Sequence, residues 1–328
     1  MKKLYIFGNG LGRAFDNEFY SLTRALQVSW GENGPLSEEQ RQLINGCLDD
    51  ELVETEADAP TSEEQLRDLQ RVVDACDLIT SFQGRADCQE GWLTQQGLEF
   101  PQAVRRYFHH AASQFHDLNK CLPTNFAKSF RNFVREHRPH IATLNYDDLL
   151  YEAYVGHDIA EGHLLRDGFF GEFDFDRHKR LFKPKKEGWF LHLHGSPLFV
   201  TREGVDRKLT RAQLREYNGA EKTHLVLTHA KSKPSAIRSS TILNAYWQEL
   251  DRILSKPTEV TLFGYGGMDL HLNRLLSETD DHVKVRIASR TPTKKRDARK
   301  GWNKRIRGKD IPKENFIFLD NLMRFDQW

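Results

Sequence analysis

Thr143-Leu144-Asn145-Tyr146-Asp147 and Leu191-His192-Leu193-His194-Gly195-Ser196 each place polar side chains at the end of an apolar, β-branched run. Asn145 can position water or a sugar hydroxyl, and Asp147 can stabilise a developing positive charge. His194 can accept a proton, because imidazole titrates near neutral pH. Two further junctions have the same form. Leu4-Tyr5-Ile6-Phe7 runs into Gly8-Asn9-Gly10-Leu11-Gly12, and Val260-Thr261-Leu262-Phe263 runs into Gly264-Tyr265-Gly266-Gly267-Met268-Asp269. In a parallel α/β sheet the carboxyl ends of the strands open into the ligand crevice, so four such junctions are expected to meet at one site.

The elements that must position them follow from periodicity. Strands are expected at His140–Leu144, Trp189–Leu193, His224–Thr228, Glu259–Phe263, Val283–Ala288 and Asn315–Leu319, besides Leu4–Phe7. Helices are expected around Asn17–Val28, Asp148–Tyr154, Arg238–Leu254 and Leu270–Ser277. Strands alternating with helices imply an α/β fold, a doubly wound, mostly parallel Rossmann-like sheet. Residues 35 to 138 differ in character. Leu66, Leu69, Val72, Val73, Cys76 and Ile79 recur at helical spacing, as do Val104, Tyr107, Phe108, Ala111, Phe115 and Leu118, and Phe126, Phe130, Phe133 and Val134. Ser37 with Gln40 and Ser62 with Gln65 fit capping boxes. The expectation is a single domain over residues 1–328 with a helical insertion at 35–138, whose exposed loop is the acidic run Asp49–Asp58.

The formal net charge of +1 argues against a general attraction to nucleic acid or membrane. No apolar run reaches the ~20 residues of a membrane span, so a cytoplasmic protein is expected. Cys47, Cys76, Cys88 and Cys121 form no CxxC pair, so neither a zinc ribbon nor a disulfide framework is expected. Between Lys294 and Lys309 lie nine Lys or Arg residues with Trp302, a solvated helix face by default and a nucleic-acid or protein contact as the alternative. His109-His110 reads as a helix surface.

Each candidate has a plain structural reading too. The glycines of Gly8–Gly12 suit a phosphate-cradling turn, where missing Cβ atoms let a pyrophosphate approach, but equally a tight turn. Asn145 or Asp147 can cap the following helix. Asp269 can start one. His192 and His194 alternate on a strand, so with Asp147 or Asp269 they could hold a metal.

In order and residue type these segments resemble the sirtuin family. Phe263-Gly264-Tyr265-Gly266-Gly267-Met268-Asp269-Leu270-His271-Leu272-Asn273 is similar to a segment of the sirtuin-like proteins of bacterial anti-phage defence. The resemblance covers the sheet domain, about two thirds of the chain, and implies NAD as substrate. Gly8, Asn9, Gly10 and Gly12 would match the pyrophosphate turn. Asn145 and Asp147 would lie beside the nicotinamide ribose, with His194 catalytic and Gly195 beside it, while Gly264, Gly266 and Asp269 would complete the NAD pocket. Sirtuin deacylases carry paired zinc cysteines, which this chain lacks, and Ala-Gly-x-Ser where it has Asn9-Gly10-Leu11-Gly12. The resemblance therefore implies an NAD glycohydrolase without zinc, releasing nicotinamide and ADP-ribose. Its implied setting is NAD depletion in defence, gated by self-assembly into a homo-oligomer or by a partner such as a DNA-translocase-type ATPase. A non-catalytic NAD- or ADP-ribose-binding subunit and a metal-dependent phosphohydrolase remain the alternatives.

Overall fold

Tyr5 and Phe7 point to one side of the first strand and Leu4 and Ile6 to the other, and all four are fully buried. A strand with both faces covered belongs to the middle of a layered α/β structure. The computed structural model describes residues 1–48, 59–61, 64–83, 91–155, 164–217, 222–227 and 233–328.

Strand β1 (Lys2–Phe7) lies between β2 (His140–Thr143) and the late strand Thr258–Phe263. After β2 the chain forms β3 (Leu165–Arg166), β4 (Phe169–Phe170), β5 (Glu172–Phe173), β6 (Gly188–His192), β7 (Gly195–Arg202), β8 (Val205–Lys208) and β9 (Lys222–Leu225). The late strand is β10, followed by β11 (Val283–Arg290) and β12 (Phe316–Leu319). The central sheet has seven strands in the order β12-β11-β10-β1-β2-β6-β3, and its pairings are parallel. Helices cover both faces, so the Rossmann-like α/β architecture expected from the sequence is present. On one face Tyr5, Phe7 and Phe263 pack with Phe130 and Phe133 of the Thr124–His137 helix. On the other, Leu4, Ile6 and Leu262 meet Leu243 and Leu250 of the Thr241–Leu254 helix and Leu272 of the Leu270–Ser277 helix.

Between residues 35 and 138 the described residues form helices and turns. Helices span Glu38–Asn45, Arg67–Gln83, Gln95–Ser113 and Thr124–His137. Ser37 and Gln40 make the reciprocal capping box. Ser62 lies outside the described residues, and Gln65 accepts instead from the Thr61 N–H at 2.6 Å. The run Asp49–Asp58 and Cys88 also lie outside them. Leu118 is exposed and beyond its helix, in a turn.

Several boundaries differ from expectation for identifiable reasons. Asp16 accepts from the Phe19 N–H and closes a turn, so one expected helix at Asn17–Val28 becomes two, Gly10–Phe15 and Leu22–Trp30. Ser240 caps Thr241–Leu254 through the Leu243 N–H, which splits off a short preceding helix, Lys233–Ser239. The run beginning at His224 is not a strand of the parallel sheet. It belongs to β9 in a second, antiparallel sheet of order β4-β5-β8-β7-β9, and Thr228 lies outside the described residues. Gly195 creates that sheet. Its φ of +84° turns the chain directly from β6 into β7, and a Cβ there would sit 1.8 Å from the His224 carbonyl oxygen. Among the described residues no helix is long and apolar enough to cross a membrane. In the basic segment, the Lys295–Arg305 helix buries Trp302 against Tyr265, with ring centroids 5.8 Å apart.

Candidate active site

β1, β2, β6 and β10 are neighbours in the sheet, so their carboxyl ends converge. Backbone bonds continue past the strands and hold the ends together. Leu144 N–H donates to the Phe7 carbonyl at 2.9 Å, and Leu193 N–H to the Thr143 carbonyl at 2.8 Å. Above them lies a cavity of about 440 Å³, a size suited to a small-molecule ligand. Gly8, Asn9, Gly10, Asn145, Asp147, His194, Gly264, Gly266 and Asp269 line it. A second cavity of about 550 Å³ shares Gly10, Arg13, Gly264, Tyr265 and Gly266 with the first. It continues over the ends of β11 and β12 to Ser289, Arg290 and Asp320.

The glycine turns form the floor common to both cavities, and they achieve it by packing on each other. A Cβ on Gly10 would lie 2.5 Å from the Gly264 carbonyl oxygen, and one on Gly8 would lie 2.7 Å from Tyr265 Cα. Gly8 N–H donates to Phe263 O and Gly10 N–H to Gly264 O, at 2.9 and 2.8 Å. Those two amides are therefore engaged by the protein, and the glycines serve backbone approach between turns rather than a free amide cradle. The following helix, Gly10–Phe15, is only six residues long. Gly12 and Gly195 do not line the cavity. Gly12 packs under Tyr20, where a Cβ would meet the ring at 2.7 Å, and Gly195 makes the turn into β7.

One wall of the cavity is the segment after β2. Asn145 is 5% exposed, and neither its side-chain oxygen nor its nitrogen has a hydrogen-bond partner. Its carboxamide lies close enough to Asp147 to favour the carboxylate, but no donor–acceptor pair reaches hydrogen-bonding geometry. A buried amide without partners costs about 1–3 kcal/mol, so its orientation into a cavity marks a place where a ligand can supply the bonds. Asp147 accepts from the Leu149 N–H at 3.1 Å at the start of the Leu149–Val155 helix. Burial, aided by the neighbouring Asp148 charge, pushes its carboxyl up to about 7. Asp148 is itself paired with Arg211 and faces away from the cavity.

In the part of the lining built on His194 and Asp269 the charged groups are paired. His194 Nε2 lies 2.8 Å from Asp269 Oδ2. Asp269 also caps the Leu270–Ser277 helix through the Leu272 N–H at 2.8 Å, so the expected helix start and the expected site are one residue. Lys233 Nζ stands 3.4 Å from the same carboxylate, and the Tyr265 hydroxyl accepts from the Asp269 N–H at 2.9 Å. Burial alone would raise Asp269, yet the hydrogen bond from His194, with the Lys233 charge, holds it well below the usual carboxylate range. With Nε2 held by Asp269, Nδ1 of His194 is the ring nitrogen left for a water or hydroxyl, an oriented-base arrangement. Tyr146 lies behind, its ring 6.3 Å from that of His194 and its hydroxyl donating to Val226 O at 2.6 Å.

His192 does not join the site. Strand alternation ends with β6, and the His192 ring packs among Phe190, Tyr151 and Phe199, where burial lowers its pKa to about 3. Among the described residues no three His, Cys, Asp or Glu side chains are grouped to hold a metal. Sequence reasoning missed Lys233, Arg13 and Tyr265 as site residues. Tyr265 lay inside a quoted motif and could have been found there; Lys233 carried no local signal.

Comparison of the chain with known family models and with characterised proteins finds no match to either.

Proposed function

We propose that this protein is an NAD glycohydrolase that cleaves the nicotinamide–ribose bond with water. The observation that carries the reading is the buried, unpartnered Asn145 carboxamide and the His194–Asp269 pair in the lining of one cavity. The adjoining cavity at the ends of β11 and β12 gives room for the adenosine half of a dinucleotide. There Asp320 and Ser289 offer acceptors and donors to a ribose, and Arg13 and Arg290 offer charge to a pyrophosphate.

Each residue then has a defined task. Asn145 orients the attacking water or a hydroxyl of the nicotinamide ribose. Asp147, close to half ionised at neutral pH, gains charge when the cationic pyridinium approaches, and stabilises the oxocarbenium-like centre as C1′ separates from the ring nitrogen. The bonding pair leaves with nicotinamide, which departs neutral. Water forms the new C1′–O bond, and His194 Nδ1 takes its proton while Asp269 stabilises the resulting imidazolium. One NAD and one water yield nicotinamide, ADP-ribose and a proton. The wider setting, a gated anti-phage effector acting as a homo-oligomer or with an ATPase partner, rests on the sequence resemblance alone.

Reaction in ¹⁸O-labelled water tests the chemistry. One labelled oxygen is expected in ADP-ribose for each nicotinamide released. Nicotinamide release without label in ADP-ribose would reject water as the acceptor.

A further inference from the structure

A separate cavity of about 660 Å³ lies on the helical side of the molecule and shares no lining residue with the one described above. Its wall is basic. Arg24 comes from the Leu22–Trp30 helix, Arg106 from Gln95–Ser113, and Arg211 and Arg215 from the helix Arg211–Glu216. Asp117 is the one acidic residue among the described residues that line it.

The four arginines are not equivalent. Arg211 is held by Asp148, and Arg24 donates to the Phe19 carbonyl at 3.1 Å. Arg106 and Arg215 form no ion pair or hydrogen bond with the described residues, and the Arg106 Nε is buried without a partner. A guanidinium with a buried, unpaired N–H is a costly arrangement that an anion relieves. The histidines contribute shape rather than charge. His109, expected at a helix surface, is 3% exposed and bound through Nε2 to the Pro197 carbonyl at 2.9 Å. Burial lowers His109 to about 4 and lowers His110 and His116 as well. The His116 side chain is 3% exposed, and its Nδ1 has no hydrogen-bond partner.

We infer that this cavity binds a phosphate-bearing small molecule of about mononucleotide size. Arginines projecting from three helices suit a tetrahedral oxyanion that accepts bonds from several sides, more than a planar carboxylate gripped by one fork. The volume falls within the range of organic ligand sites and far exceeds that of a single ion. The inference stands independently of the NAD reading, because the walls are distinct.

Calorimetric titration of the full chain with inorganic pyrophosphate and with AMP tests it, using Arg106→Gln/Arg215→Gln and, as a charge-matched change at exposed positions outside both cavities, Lys185→Gln/Lys186→Gln. At least one probe is expected to show a saturable binding event that is weakened at least tenfold in the arginine double variant and unchanged in the lysine pair. The unliganded melting temperature of the double variant, matching the parent, establishes that its loss is not a folding defect; Arg215→Gln alone, at an exposed position, supplies the same comparison if the pair unfolds. Binding of neither probe, binding indifferent to the arginines, or tighter binding of citrate than of both probes overturns the inference.

Discussion

The two walls of the cavity under Asn145 and His194 are built on opposite plans. On the His194 side each charged group has a partner: the imidazole on Asp269, Asp269 also on Lys233 and a helix N-terminus. On the Asn145 side the carboxamide has none, and Asp147 is buried with its carboxyl pushed up to about 7. Both walls stand at the ends of parallel strands and are equally buried, so burial alone does not explain the difference. Pairing does. The first wall has its charges already paired, while the second carries unmet hydrogen-bonding and charge demands that a bound ligand can answer. Stored local cost of this kind is characteristic of sites that bind and react.

The sharpest way to break the contrast is to remove a partner from the settled wall. Asp269→Asn keeps the helix cap but takes the carboxylate from His194 and Lys233. It should lower stability by about 3–5 kcal/mol at pH 8, as loss of one member of a buried ion pair does. Denaturant unfolding reads this directly, and a loss under 1 kcal/mol would show that the pairing contributes little.

The same type of change on the other wall should act in the opposite direction. Asp147 has its folded pKa raised above the ordinary 3.8. Between about pH 4 and 7 the unfolded chain has released this proton while the folded chain keeps it, so stability falls as pH rises through that window. Asp147→Asn keeps the acceptor for Leu149 and removes the buried charge. It should therefore stabilise the protein by about 2–4 kcal/mol at pH 8 and by nothing at pH 3.5. Melting curves at the two pH values check the sign.

The catalytic counterpart is a pH profile. If ionised Asp147 stabilises the oxocarbenium-like centre, kcat/KM for NAD should fall about tenfold per pH unit below about 7. A flat profile from pH 5.5 to 8 contradicts that role.

Asn145→Ala should have the smallest structural effect, within about 1 kcal/mol, since it deletes a group that makes no bonds and so relieves its cost while leaving a small void. Its expected effect lies in NAD turnover. A large destabilisation would mean the carboxamide is structural.

The convergence of the four strand ends was legible in the sequence, the contrast between the two walls was not, and the boundary has physical causes. The four strand ends could be found because apolar runs terminated in Gly, Asn, Asp and His, and neighbouring parallel strands must deliver their ends to one edge. Asp269 was visible both as a cap and as a candidate site residue, and it caps its helix and lines the cavity. The His194–Asp269 bond was not legible, because it joins positions 75 residues apart. Nor was the second sheet. Gly195-Ser196-Pro197 has turn composition, yet the positive φ at Gly195 starts a strand. Gly12 illustrates the converse error: a glycine in a motif suggests ligand approach, while here it makes room for Tyr20. His109 carried no periodic cue to burial, because the β7 backbone that covers it belongs to the unforeseen sheet.

The most direct measurement is NAD turnover by the purified chain, without metal or acyl peptide, beside His194→Ala. Nicotinamide and ADP-ribose would be quantified together. Equal release of both is expected from the parent, reduced about 100- to 10,000-fold in the variant at unchanged folding. No release from the parent, alone or with added partners, or release untouched by the substitution, would contradict hydrolysis of NAD at this site.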